Sequence, residues 1–119
     1  MTSKRHRGQE YEERATKFLQ REGYEIVARN FRVGRHEIDI ICTKDEILVF
    51  AEVKGGRTAI FGDPVYKVDQ RKQCSIIEVA EGYLQQSHIA YSGYRFDVII
   101  VEQRDGKLEI RQIESAFTL

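Results

Sequence analysis

Two apolar, β-branched runs, Ile38 to Cys42 and Ile47 to Val53, flank a turn-like Lys44-Asp45-Glu46. Their length and composition predict two antiparallel strands of a hairpin. Ionisable residues interrupt both: Asp39 lies between isoleucines, and Glu52 and Lys54 flank Val53. A carboxylate inside a core strand needs a partner or a metal ion, because taking an unpaired charge out of water is costly. This hairpin therefore limits fold and chemistry together.

Side chains of a strand alternate between faces, so Glu37 and Asp39 share one face of the first strand, and Glu52 and Lys54 one face of the second. If those faces come together, Asp39 and Glu52 converge, with Lys54 about 6–7 Å further along its own strand at a rise of roughly 3.3 Å per residue. Two carboxylates beside a lysine suit a hard cation such as Mg²⁺ and metal-assisted attack on a phosphodiester.

The rest of the chain frames the hairpin. From Gly8 to about Glu22, Tyr11, Ala15, Phe18 and Leu19 recur at helical spacing, and Gly23 is a natural stop. Glu12 falls near the buried edge of that helix, while Glu10 and Glu13 fall on its wet side. Tyr24 to Phe31 reads as a first strand. After the hairpin, residues 55–63 hold three glycines and read as a loop over the site, and Pro64 suits the first turn of a helix running to about Gln86. Arg95 to Glu102 is an apolar strand, Asp105-Gly106 a tight-turn signal, and Leu108 to Ile113 a final alternating strand.

At 119 residues the chain fits one compact domain, 8–119, behind a basic tail, 1–7. Cys42 and Cys74 lack metal-ligand spacing and read as thiols in a reducing cytoplasm. No apolar run approaches a membrane span, and no apolar segment follows the basic start, so neither membrane insertion nor a signal peptide is expected. The formal net charge is zero, but its distribution is uneven. Residues 1–35 carry nine Lys and Arg against five acids, 36–52 one against five, 53–73 five against two, and 74–119 four against seven. An acidic pocket between basic flanks suits a metal site that meets phosphates, although surface sampling alone also yields imbalances of this size.

A longer series of residues carries a resemblance. Asp39, twelve intervening residues and Glu52-Val53-Lys54 resemble the D…(D/E)-x-K core of the PD-(D/E)xK nuclease superfamily. Gly8-x-x-x-Glu12-x-x-Ala15, Gly23-Tyr24, Asn30-Phe31-Arg32, Glu37-Ile38-Asp39, Phe61-Gly62-x-Pro64, Arg71-Lys72-Gln73, Arg95-Phe96-Asp97-Val98 and Ser115-Ala116-Phe117 extend the match over nearly the whole chain. The series resembles the small bacterial YraN-type proteins, which are similar to archaeal Holliday-junction resolvases. His36 and Tyr11 stand where that family usually has glycine, and Gly56 where it usually has arginine, with Arg57 one step later.

The resemblance implies an α/β, restriction-endonuclease-like core, a mixed central sheet flanked by helices in the order α-β-β-β-α-β-β. It implies a Mg²⁺- or Mn²⁺-dependent endonuclease acting on structured, branched or damaged DNA. Asp39 and Glu52 would hold the metal with Glu12 as a further ligand, and Lys54 would orient or deprotonate water. Glu37 either joins the metal or substrate site or ends its strand in solvent. Arg57, Lys72 and Gln73 would contact the nucleic-acid backbone. Other readings stand beside these: Lys54 as a plain salt bridge to Glu52, His36 as a ligand or a surface residue, and the whole protein as a nucleic-acid-binding accessory with little cleavage. Resolving a junction would require a two-fold homodimer.

Overall fold

The computed structural model describes residues 4–56 and 69–117. The elements are α1 (Lys4–Arg21), β1 (Glu25–Val33), β2 (His36–Lys44), β3 (Ile47–Gly56), α2 (Gln70–Gln86), β4 (Gly93–Arg104) and β5 (Lys107–Phe117). One mixed sheet runs in the order β1-β2-β3-β4-β5, antiparallel throughout except for the parallel β3–β4 pair, which α2 connects. The α-β-β-β-α-β-β order is the expected one and is consistent with the restriction-endonuclease-like fold.

Local signals end the elements. Gly23 takes φ +95° after α1, and the Tyr24 N–H reaches back to Leu19 O (2.9 Å) while that of Gly23 reaches Gln20 O (3.1 Å). This pair of bonds caps the last turn, and Leu19 and Tyr24 share a core cluster above it. The β2–β3 turn places Asp45 and Glu46 at φ 52° and 66°, and the β4–β5 turn places Asp105 and Gly106 at 51° and 76°. Positive φ at both central residues matches the twist of the adjoining strands. Asp69, not Pro64, opens α2: its backbone is extended and its side chain accepts from the Lys72 N–H (2.8 Å). Pro64 lies outside the described residues, as does most of the loop expected over 55–63.

The helices cover opposite faces of the sheet. Leu48 and Phe50 of β3 and Phe96, Val98 and Ile100 of β4 meet Ile76, Val79, Ala80 and Tyr83 of α2. Val49 and Ala51, with Ile99 and Val101, meet Ala15 and Leu19 of α1. This strict alternation continues to Glu52 and Lys54, placing them in the row that faces α2. On β2 the alternation slips: Ile38 belongs to the α2-side cluster, but Ile40 and Cys42 belong to the α1 side. The slip falls at Asp39. No described helix is long and apolar enough to cross a membrane.

Candidate metal centre

The site begins where two strands part. The β2–β3 ladder runs from Lys44↔Ile47 to Ile40↔Ala51 and stops one residue short of Asp39. In place of the next backbone rung, the Val53 N–H donates to Asp39 Oδ2 (2.7 Å). The carboxylate thus fills the fork between the strands and satisfies a donor the ladder leaves over.

A cavity of about 450 Å³ opens at this fork, lined by Glu12, Asp39 and Glu52, the Tyr11 ring and the backbone at Gly55 and Gly56. Three elements thus supply one carboxylate each. A Cβ at residue 55 would come within 2.0 Å of the Tyr11 ring, so this wall admits only glycine without displacing the aromatic.

Glu12, Glu37 and Asp39 each bring a carboxylate oxygen within 4.8 Å of the others. Glu37 therefore joins the acidic cluster instead of ending its strand in solvent. Asn30 holds it there: its Nδ2 donates to Glu12 Oε2 (3.0 Å) and to Glu37 Oε1 (2.7 Å). Arg32 Nε approaches the other Glu37 oxygen at 2.9 Å. Asn30 sits at φ 52°, a left-handed backbone that asparagine tolerates better than most residues.

Glu52 lies outside that three-carboxylate group but on the same cavity. It is 8% exposed. Its Oε1 lies 3.3 Å from Lys72 Nζ, and its buried Oε2 has no hydrogen-bond partner among the described residues. Burial raises its pKa, opposed chiefly by Lys72 and then by Lys54. Asp39 is pushed up to about 8, first by burial and then by the charge of Glu52, against the Val53 hydrogen bond, with Glu12 and Glu37 adding smaller repulsions. Both shifts reflect acids crowded where water is excluded.

The remaining expected site residues divide. Lys54 shares the Glu52 face as alternation requires, yet no ion pair joins the two among the described residues; the salt bridge to Glu52 comes from Lys72. Lys72 thus reaches Glu52 with its ammonium while its side chain stays partly exposed at the edge of the site. Gln73 lies in the first turn of α2, its N–H bonded to Asp69 O (2.9 Å). Arg57 is outside the described residues. His36 Nε2 lies 3.8 Å from Glu78 on α2, and its side chain is exposed, as the surface alternative expects. Sequence reasoning missed the bridging role of Asn30; an asparagine inside an apolar strand was the available signal.

An all-oxygen donor set fits a hard divalent cation, and a buried carboxylate oxygen without a hydrogen bond is the kind of atom such an ion would satisfy.

A model of the family described as "Uncharacterised protein family UPF0102" matches residues 11–101. The chain belongs to this family. UPF0102 proteins similar to it include one from Desulfosudis oleivorans, 42% identical over 92% of this chain and 88% of that protein. Another, from Caldicellulosiruptor saccharolyticus, is 39% identical over 97% of this chain and 99% of that protein. A third, from Clostridium perfringens, is 41% identical over 89% and 88%. UPF0102 is the YraN family, so the resemblance read from the ordered motifs holds across the domain.

Proposed function

We propose that this protein is a metal-dependent endonuclease that hydrolyses phosphodiester bonds in structured, branched or damaged DNA. The observation that supports it best is Glu52, a buried acid with one oxygen unpartnered, on a cavity that it shares with Asp39 and Glu12. A structural carboxylate would have been satisfied by the protein around it.

Asp39, Glu52 and Glu12 would hold Mg²⁺ or Mn²⁺, with Glu37 beside them. Such an ion supplies Lewis-acid polarisation of the phosphate and a bound water of lowered pKa. Asp39 is pre-positioned by the Val53 N–H, which fixes one oxygen and leaves the other for the ion. Lys54, not committed to Glu52, orients the attacking water or offsets charge as the phosphorane-like state develops. Asn30 keeps Glu12 and Glu37 together without adding charge. Positive flanks at Arg57 and on the helix after β3 would lie along the DNA backbone, giving binding that depends on salt more than on base identity. Symmetrical cleavage of a junction would take two copies of the chain.

The Lys72–Glu52 pair favours a second reading, in which a built-in cation replaces the metal and the protein binds nucleic acid without cutting it. A labelled panel of duplex, flap, four-way junction and single-stranded DNA and RNA, incubated with Mg²⁺, Mn²⁺ or chelator, separates the two. The nuclease reading expects metal-dependent cutting of branched DNA that is lost in Lys54→Ala. Tight metal-independent binding with no cutting of any substrate would establish the accessory reading instead.

A further inference from the structure

The cation that neutralises Glu52 comes from an unexpected element. Lys72 is the third residue of α2, and its N–H is held by the Asp69 cap at 2.8 Å. Its backbone is thereby fixed at the mouth of the site, and its side chain crosses from the helix to β3, where Nζ lies 3.3 Å from Glu52 Oε1. Lys54, on the same strand face as Glu52, makes no such pair among the described residues. The two lysines therefore stand in different relations to one acid. One is bound to it; the other is only nearby.

Resting on the metal-dependent reading above, we propose that Lys72 is a positioning residue that stands in for the divalent ion at Glu52 and competes with it. In the ion-free protein its ammonium compensates a carboxylate that burial would otherwise leave exposed to the repulsion of Asp39. With Oε1 occupied by Lys72, Oε2 is the carboxylate oxygen left without a hydrogen bond among the described residues. It also spares Lys54 from a structural ion pair, so that Lys54 remains available to water or phosphate. The cost of the arrangement is weaker ion binding, since an entering cation meets a positive group already in contact with one of its ligands.

Mn²⁺ titration of the full chain, followed by the loss of the free-ion electron paramagnetic resonance signal, tests this directly. The variants are Lys72→Met, Lys72→Arg and Lys54→Met. Lys72→Met is expected to bind Mn²⁺ about threefold to fivefold more tightly than the parent, the size expected from removing one partly exposed ion pair. Lys72→Arg should stay close to the parent, because it keeps the charge. Lys54→Met should change affinity by less than about half as much, because contact and not mere proximity sets the competition. In chelator, Lys72→Met should melt below the parent, and saturating Mn²⁺ should narrow the gap.

Equal affinity in parent and Lys72→Met, or equal tightening in Lys54→Met and Lys72→Met, would overturn the assignment of Lys72 while leaving the metal site intact. A parent that binds no Mn²⁺ would remove the metal-dependent reading and this inference with it. Should Lys72→Met fail to fold, Lys72→Gln keeps a polar side chain without the charge and is held to the same affinity outcome.

Discussion

Asp97 on β4 and Glu52 on β3 lie within one rung of each other in the parallel pair, since Asp97 stands opposite Ala51 and Glu52 opposite Val98. Both are buried carboxylates in central strands. Asp97 is fully provided for: Arg95 donates from Nε (2.8 Å) and Nη2 (2.9 Å), Gln112 from Nε2 (2.8 Å), and Ser115 from its N–H (3.0 Å). Tyr24 closes the network, accepting from Arg95 (2.6 Å) and Gln112 (3.1 Å). The Asp97 hydrogen bond in turn raises the pKa of Arg95. Glu52 has one partly exposed lysine and a bare oxygen. Two buried carboxylates, 0% and 8% exposed, are thus provided for very differently. The satisfied acid ties β4 and β5 to the segment after α1, and the other keeps a buried oxygen with no hydrogen-bond partner among the described residues.

Removing Asp97 should give the largest effect. Asp97→Ala strands the half-buried Arg95 along with the Gln112 and Ser115 donors, and removing one partner of a buried ion pair costs about 3–5 kcal/mol. For a domain of this size that is a fall in Tm on the order of 10 °C or more, with or without divalent ion. A thermal melt that moves by only a degree or two would mean the network contributes little, and the contrast with Glu52 would lose its basis.

Asp39→Asn should act in the opposite sense. In chelator it removes one of several crowded charges, so its melting temperature should equal or exceed that of the parent. With about 10 mM Mg²⁺ and a dissociation constant of about 1 mM, the parent gains roughly 1.4 kcal/mol, or about 4–8 °C, and the variant should gain little of it. The pH dependence follows from the raised Asp39 pKa. An acid whose folded value, about 8, exceeds its unfolded value contributes stability at low pH that is lost as pH climbs through the interval between them. Urea midpoints of the parent in chelator should therefore fall between about pH 4 and 8, and those of Asp39→Asn should fall less. Parallel pH curves, or equal Mg²⁺ responses, would take Asp39 out of the ligand set.

The smallest expected effect is at Asn30. Asn30→Ala puts an alanine into left-handed backbone, at about 1 kcal/mol, and frees Glu12 from Glu37. Denaturant titration should show that loss in chelator, with a weakened Mg²⁺ response beside it. An unchanged response would confine Asn30 to shaping β1.

Much of this was written plainly in the chain. The hairpin is legible because Ile47 to Val53 alternates between two covered faces, and Asp39 stands out because an acid between isoleucines conflicts with its surroundings. The Asp105-Gly106 turn declares itself by residue type. What stayed hidden depends on where elements land relative to one another. Lys72 read only as a contact to the nucleic-acid backbone, because the sequence does not show that α2 starts at the Asp69 cap and brings its first turn to Glu52. Glu37 could not be resolved from strand alternation alone, because the deciding contact comes from Asn30 on the neighbouring strand. Asp97, conspicuous only as part of a motif, gave no sign of whether its partners would be protein groups or an ion.

The parallel β3–β4 pair carries a consequence for the order in which the molecule is built. Every other strand pair is joined by a tight turn, whereas β3 must wait for the chain to travel through α2 before β4 can dock beside it. Non-local pairings of this kind form late, because the intervening loop must close before any contact rewards it. While β1, β2 and β3 are a free meander, Asp39 and Glu52 are wet and their mutual repulsion is weak. Dehydration of the acids coincides with arrival of the helices. Lys72 arrives on α2 in that same step, so the charge that makes Glu52 tolerable reaches it as water leaves.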